Sequence, residues 1–361
     1  MNLFIVSIFL LWCLFLGFIE LKKIKLPKTI WWLNVILFAF ICCTRDTNVP
    51  DTSEYIKFYN NISLYFSSWI TNNDTEIGYS ILMGIIKSLN LNYQSFFFII
   101  VIINFFVLNK TINECKEYFK IDHNIHYIFF ILYLSFYGIY YNAMVLRAGI
   151  AISFCLYSIF LLLNKKYIVG MIMVLLSNIF HNSAIVAFLI ILFAFILPGF
   201  KRKFYRKYIL FILIIYLIGI NNIIFYNIID VLQDFVVSNN MGRIYQSYIF
   251  KDNNFGIAFK VLYYFLIGLY ITFINENIFL KMKKLINVYC IGLTLSILFS
   301  SITAFSRLTD FFFIFYIFIL INAYFKANKE NYKINIFDFI LFVFITMINY
   351  SIVNTIEDVF Y

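Results

Sequence analysis

The chain has 361 residues, of which 63% are hydrophobic and only 13% charged, and its formal net charge is +10. A soluble domain is about half apolar and about a quarter charged, so this composition excludes an ordinary water-soluble enzyme. Nor does the positive balance point to nucleic acid, because the basic residues sit in short loops between apolar runs, where they set membrane orientation.

Those runs recur at spanning length. A helix needs about 20 apolar residues to cross the hydrocarbon, and only three prolines interrupt the chain. The many Val and Ile residues do not argue for strands, since lipid forces backbone hydrogen bonds to close within each segment. In chain order the predicted spans are roughly 2–20, 29–44, 93–109, 125–142, 147–164, 166–180, 183–199, 208–226, 257–275, 286–304, 308–325 and 334–352. The first lacks a preceding basic residue and a small-residue cleavage site, and is too long for a signal-peptide core, so it reads as a retained span. Placing the loops of Lys22–Lys28, Lys110–Lys120, Lys165–Lys166, Lys201–Lys207, Lys281–Lys284 and Lys326–Lys333 in the cytoplasm puts both termini outside.

Residues 77–90 (IGYSILMGIIKSLN) are short for a span and carry Lys87, and a crossing there breaks the alternation of basic loops. They are therefore predicted to lie at the outer interface. The alternative, a span with one basic loop misplaced, stays open. Residues 51–70 resemble them, with Tyr55, Phe58, Tyr59, Ile62, Tyr65 and Phe66 at helical spacing. The expected architecture is a single all-α integral membrane domain over 1–361, a polytopic transmembrane helical bundle of about 12 spans. Its first outer loop, 45–92, carries interfacial helices, and a second outer loop covers 227–256.

This topology puts Arg45, Asp46, Asp51, Glu54, Asp74, Glu76, Arg147, His181, Arg243 and Arg307 at or near the outer surface. Of the six arginines only Arg202 and Arg206 fall in a cytoplasmic loop, so the other four run against the positive-inside trend. Ionisable groups near membrane depth are costly and usually face a cavity or a partner. Guanidinium stays charged and offers a planar fork of donors for phosphate oxygens, so several arginines converging on one outer cavity would suit a pyrophosphate. Plainer alternatives exist for each. Arg45 can pair with Asp46 and Arg307 with Asp310, a helix-end Arg can snorkel, Asp51 and Glu76 can start helices, and His181 can be structural. Tyr55, Tyr245 and Tyr248 can stack on sugar rings, although an aromatic belt has the same composition.

No phosphate-binding glycine loop, HExxH, Gly-x-Ser-x-Gly or nucleotide fingerprint occurs. The six cysteines show no metal spacing, and five lie in apolar runs, where Cys behaves as a small hydrophobe. No metal and no cofactor are expected.

Taken in order, RDTNVPDTSEYIKFY (Arg45–Tyr59), EIGY (Glu76–Tyr79), LRAGIAISFCLYSIFLL (Leu146–Leu162), FHNSAIVAF (Phe180–Phe188) and SRLTDFFF (Ser306–Phe313) resemble the EpsG family, the Wzy-like polymerases of bacterial exopolysaccharide and capsule. Pro50 stands where that family usually has a glycine-containing turn, and Ala148 where a polar Gln is common. The chain is also similar to GT-C type glycosyltransferases, whose first outer loop has interfacial helices and an acidic residue. The resemblance implies a glycosyltransferase of the bacterial cytoplasmic membrane with an outward-facing site. It would join undecaprenyl-pyrophosphate-linked oligosaccharide donor and acceptor into exopolysaccharide, capsule or O-antigen, with a chain-length regulator as a further partner. Arg147 and Arg307, assisted by Arg45 or Arg243, would stabilise the departing phosphate. Asp51, Glu76 or His181 would take the acceptor proton. A lipid-linked oligosaccharide flippase, a membrane acyltransferase and an O-antigen ligase are the rival readings.

Overall fold

The computed structural model describes residues 3–49, 51–70, 75–219, 259–298 and 303–329, and among them there is helix and no strand. The predicted span 334–352 and the second outer loop 227–256 lie outside the described residues. The chain divides into two compact units, which meet in sequence between Ile185 and Val186.

The first unit contains α1 (Leu3–Leu21), α2 (Lys28–Cys43), α3 (Thr52–Asn61), α4 (Phe66–Ile70), α5 (Ile77–Ser88) and α6 (Tyr93–Phe119). It continues with α7 (His126–Tyr133), which runs on through π-helical turns at Leu134–Gly138 and Tyr140–Met144, then α8 (Leu146–Leu163) and α9 (Tyr167–Phe180). The second contains α10 (Val186–Ile196), α11 (Arg202–Ile218), α12 (Phe259–Ile271), α13 (Glu276–Leu298), α14 (Thr303–Phe313) and α15 (Tyr316–Lys329). Three stretches among the described residues are long and apolar enough to cross a bilayer unaided: Tyr93–Phe119, Leu146–Leu163 and Leu308–Phe325. Shorter apolar helices accompany them, and the whole is a helical membrane protein.

Amphipathic pattern explains the first unit. On α1 the residues Ile5, Ile8, Leu11, Trp12, Phe15 and Phe18 are exposed while Val6, Phe9, Cys13 and Leu16 are buried, so one apolar stripe packs inward and another faces outward, as suits lipid. α8 is buried on all sides. Its small residues Ala148, Gly149, Ala151 and Ser153 let α6 and α9 pack closely, the usual solution where helices cannot rely on water to drive them together. A buried amide chain sets the register of α6 against α8. Asn142 donates 2.7 Å to the Gly138 carbonyl and accepts 3.1 Å from Asn104, whose own Oδ1 accepts 3.3 Å from Ser153.

Ion pairs and caps close one end of this unit. The Glu20 carboxylate, at the end of α1, accepts the backbone N–H groups of His126, Tyr127 and Ile128 at 3.0, 2.9 and 2.9 Å, capping α7. Lys166 reaches Glu114 at 2.8 Å and Glu117 at 2.9 Å. The lysine-bearing loops after α1, α6 and α8 therefore share an end. At the other end, α5 has 12 residues, about 18 Å at 1.5 Å per residue against the ~30 Å of a hydrocarbon core. It is tied to its neighbours: Lys87 Nζ donates to the carbonyls of Asn60 and Ile62 at 2.6 and 2.7 Å, and the Tyr59 hydroxyl to that of Leu91 at 2.7 Å.

The π-helical turn Tyr140–Met144 brings its backbone against the start of α8. A Cβ on Gly149 would lie 2.2 Å from the Tyr141 carbonyl oxygen, which is backbone and cannot step aside. Gly149→Ala is expected to cost about 1–3 kcal/mol through overpacking and to lower the melting temperature and monodispersity of the detergent-purified protein. An unchanged size-exclusion profile and melt would show that this contact is not tight.

In the second unit, α13 is the helix the others pack against. Tyr205 of α11 hydrogen-bonds Asn287 and the Tyr289 hydroxyl donates 2.6 Å to the Tyr264 carbonyl. Arg202 and Arg206 donate to the carbonyls of Ile274 and Thr272 at 2.8 and 3.0 Å, at and beyond the end of α12, where cations are favoured.

Candidate functional site

The polar residues that the first unit gathers lie where the C-terminal ends of α2 and α9 meet the N-terminal ends of α5, α6 and α8. α8 and α9 form an antiparallel hairpin, so Arg147, the second residue of α8, and His181, the residue after α9, come to one end. Glu76 precedes α5 at the position of an N-cap but makes no side-chain cap bond. Its carboxylate instead meets Arg147 Nη1 at 2.9 Å through Oε2 and His181 Nδ1 at 2.7 Å through Oε1. Gly78 makes this approach possible, because a Cβ there would sit 2.7 Å from Ile179 Cγ2 and 3.1 Å from the Ile179 carbonyl oxygen.

The three side chains are partly enclosed, Glu76 at 10% exposure and Arg147 and His181 at 24% each. Burial pushes the Glu76 carboxyl up, but the His181 hydrogen bond and the charges of Arg147 and His181 outweigh it and hold the group down to about 2. A carboxylate that binds its proton so weakly is a poor general base at neutral pH. It is well suited to hold an imidazole in one tautomer, leaving Nε2 as the basic atom.

Arg45 follows the end of α2 and is only 7% exposed. Its guanidinium carbon lies 3.8 Å from the Phe97 ring centroid and 5.9 Å from that of Tyr55. Arg147 lies 5.8 Å from the same Tyr55 ring, so the two guanidinium groups flank one buried tyrosine. Yet Nε and both Nη atoms of Arg45 are buried without a hydrogen-bond partner. The pairing with Asp46 does not form, because that carboxylate accepts from Thr47 Oγ1 at 3.2 Å and Asn48 N at 3.1 Å. Cation–π contact contributes about 2 kcal/mol, whereas leaving a buried charge unpaired costs about 3–5 kcal/mol, so the aromatic rings do not close the balance. Burial accordingly draws the Arg45 pKa down, although a guanidinium remains charged.

Asp51 stands before α3 in the left-handed region, with φ +63°, and makes no cap bond. Tyr55 and Tyr79 are fully buried with ring centroids 5.7 Å apart, and the Tyr79 hydroxyl has no partner. Sequence reasoning missed Gly78 and Tyr79, although both stand in the EIGY stretch. A glycine one residue into an otherwise apolar helix was the available signal. Of the remaining sequence-predicted site residues, Arg307 has its backbone on α14 and its side chain outside the described residues. Arg243, Tyr245 and Tyr248 lie outside them entirely. Among the described residues no group of three or more His, Cys, Asp or Glu side chains is assembled.

The EpsG family profile matches residues 28–360, nearly the whole chain. No curated protein and no solved structure matches the chain.

Proposed function

The chain belongs to the EpsG family, which is associated with Wzy-like polysaccharide polymerases, and on that premise we propose that it joins lipid-linked oligosaccharide repeat units into a surface polysaccharide. The observation that carries the reading is the Arg147–Glu76–His181 cluster with the unpartnered guanidinium of Arg45 beside it. Cations that can meet a phosphate and an imidazole that can take a proton are the two groups this reaction needs.

The donor is an oligosaccharide whose anomeric carbon is bonded to undecaprenyl pyrophosphate, and the acceptor is a hydroxyl of a second such unit. The acceptor oxygen attacks the anomeric carbon, the bond from that carbon to the phosphate oxygen breaks, and the diphosphate leaves with the electron pair. Arg147 and Arg45 stabilise that growing negative charge, with Arg307 and Arg243 as further cations. His181 Nε2 receives the hydroxyl proton, while Glu76 orients the ring and balances the imidazolium. Asp51, near Arg45, tunes the field around the anion. Tyr55, Tyr245 and Tyr248 offer faces for sugar rings. In this reading the site opens to the outer face of the bacterial cytoplasmic membrane, with α3, α4 and α5 at the interface and a chain-length regulator as partner.

A deletion strain tests the proposal. Single lipid-linked repeat units are expected to accumulate at the outer face, and the wild-type gene is expected to restore polymer. Loss of all repeat units from the outer face would indicate a flippase instead. Full-length polymer lacking a substituent would indicate an acyltransferase.

A further inference from the structure

Two arginines flank Tyr55, and the structure treats them differently. Arg147 already holds a carboxylate at 2.9 Å. Arg45 holds nothing, although it is the more deeply buried of the two. The carboxylates around it are engaged or do not reach it: Asp46 bonds Thr47 and Asn48, Glu76 bonds Arg147 and His181, and Asp51 forms no ion pair with Arg45. The anion that completes Arg45 must therefore come from outside the chain. Its planar fork of donors fits the oxygens of a phosphoryl group. Phe97 and Tyr55 hold the fork in place, and Tyr79, stacked near Tyr55, brings a second buried donor without a partner.

We propose that Arg45 and Tyr79 form a preformed socket for a phosphoryl oxyanion, filled in the ground state, while Arg147 stays paired with Glu76 until charge develops on the leaving group. The assignment deepens the polymerase reading and, for its placing of the two arginines in the reaction, rests on it. Binding through Arg45 is uniform between substrate and transition state, so its loss raises KM. The Arg147 interaction strengthens only as the bond breaks, so its loss lowers kcat. Two sources share the chemistry: the diphosphate of the lipid-linked substrate and the headgroup of an anionic phospholipid.

The test uses the full-length protein in nanodiscs of phosphatidylcholine alone, titrated calorimetrically with inorganic diphosphate. Wild type is expected to bind. Arg45→Gln is expected to weaken binding by at least about tenfold, as for loss of a charge-assisted bidentate contact. Arg147→Gln should stay within about threefold of wild type, and Tyr79→Phe should fall between the two. Tyr79→Phe also serves if Arg45→Gln proves unstable, since it removes one hydroxyl and keeps the ring. Repeating the titration in phosphatidylglycerol nanodiscs separates the sources. Diphosphate binding that persists there assigns the socket to the substrate. Arg45-dependent binding that phosphatidylglycerol abolishes assigns it to a lipid headgroup. Equal affinity in wild type, Arg45→Gln and Tyr79→Phe, or no binding by wild type, overturns the socket. Neither result depends on polymer formation, so failure of the deletion-strain experiment would count against the polymerase and leave the socket standing.

Discussion

Arg147→Ala is expected to lower polymer formation by about two to three orders of magnitude, the usual cost of removing one preorganised donor from the site of developing charge. Arg147 sits where α8 begins and meets Glu76 at 2.9 Å, so the substitution also strips the carboxylate of its permanent cation. Arg147→Lys retains charge but loses the planar fork, and little activity should return. The measurement is polymer amount and length in a deletion strain complemented by each variant, with membrane protein levels matched by immunoblot. Polymer indistinguishable from wild type in Arg147→Ala would remove Arg147 from the chemistry.

The second large effect falls on the Glu76–His181 pair. His181→Ala is expected to lose about 10²–10⁴-fold, the range for a positioned acid–base group. Glu76→Gln removes the charge that steadies the imidazolium while keeping the size of the side chain, so it should lower kcat with little change in KM. If Glu76 were itself the base, His181→Ala would retain substantial activity, and that outcome would sink the assignment. Stability provides an independent reading of the same pair. The folded Glu76 carboxyl lies at about 2 against an ordinary value of 4.5. A depressed carboxylate pKa contributes stability that is fully present above 4.5 and disappears as pH falls from there toward 2. The contribution is on the order of 3 kcal/mol. Wild type should therefore lose thermal stability between pH 4.5 and its folded value faster than Glu76→Gln does, and parallel melting profiles would contradict it.

Much of this architecture was readable along the chain. Hydropathy is a local property, so apolar runs such as those of α6 and α8 announce themselves in any window of spanning length, and no competing fold satisfies their backbones in lipid. The shortness of 77–90 and the presence of Lys87 likewise argued against a crossing there. Arg45, Glu76, Arg147 and His181 stood out as charged or ionisable residues at the edges of apolar segments, where their cost demands an explanation.

Their partners were not readable in the same way. Glu76 is 71 residues from Arg147 and 105 from His181, and no local rule selects those pairs among the carboxylates and cations nearby. The α8–α9 hairpin and the close approach of α5 at Gly78 make the selection. Neighbourhood in the chain even misled: Asp46 adjoins Arg45 but turns its carboxylate to Thr47 and Asn48. Composition and periodicity thus establish that these residues form apolar helices with ionisable groups at their edges, since burial in lipid acts on each segment separately. Which ionisable group is neutralised and which is left wanting an anion depends on side-chain distances of a few ångströms across helices, and those exist only once the helices have packed.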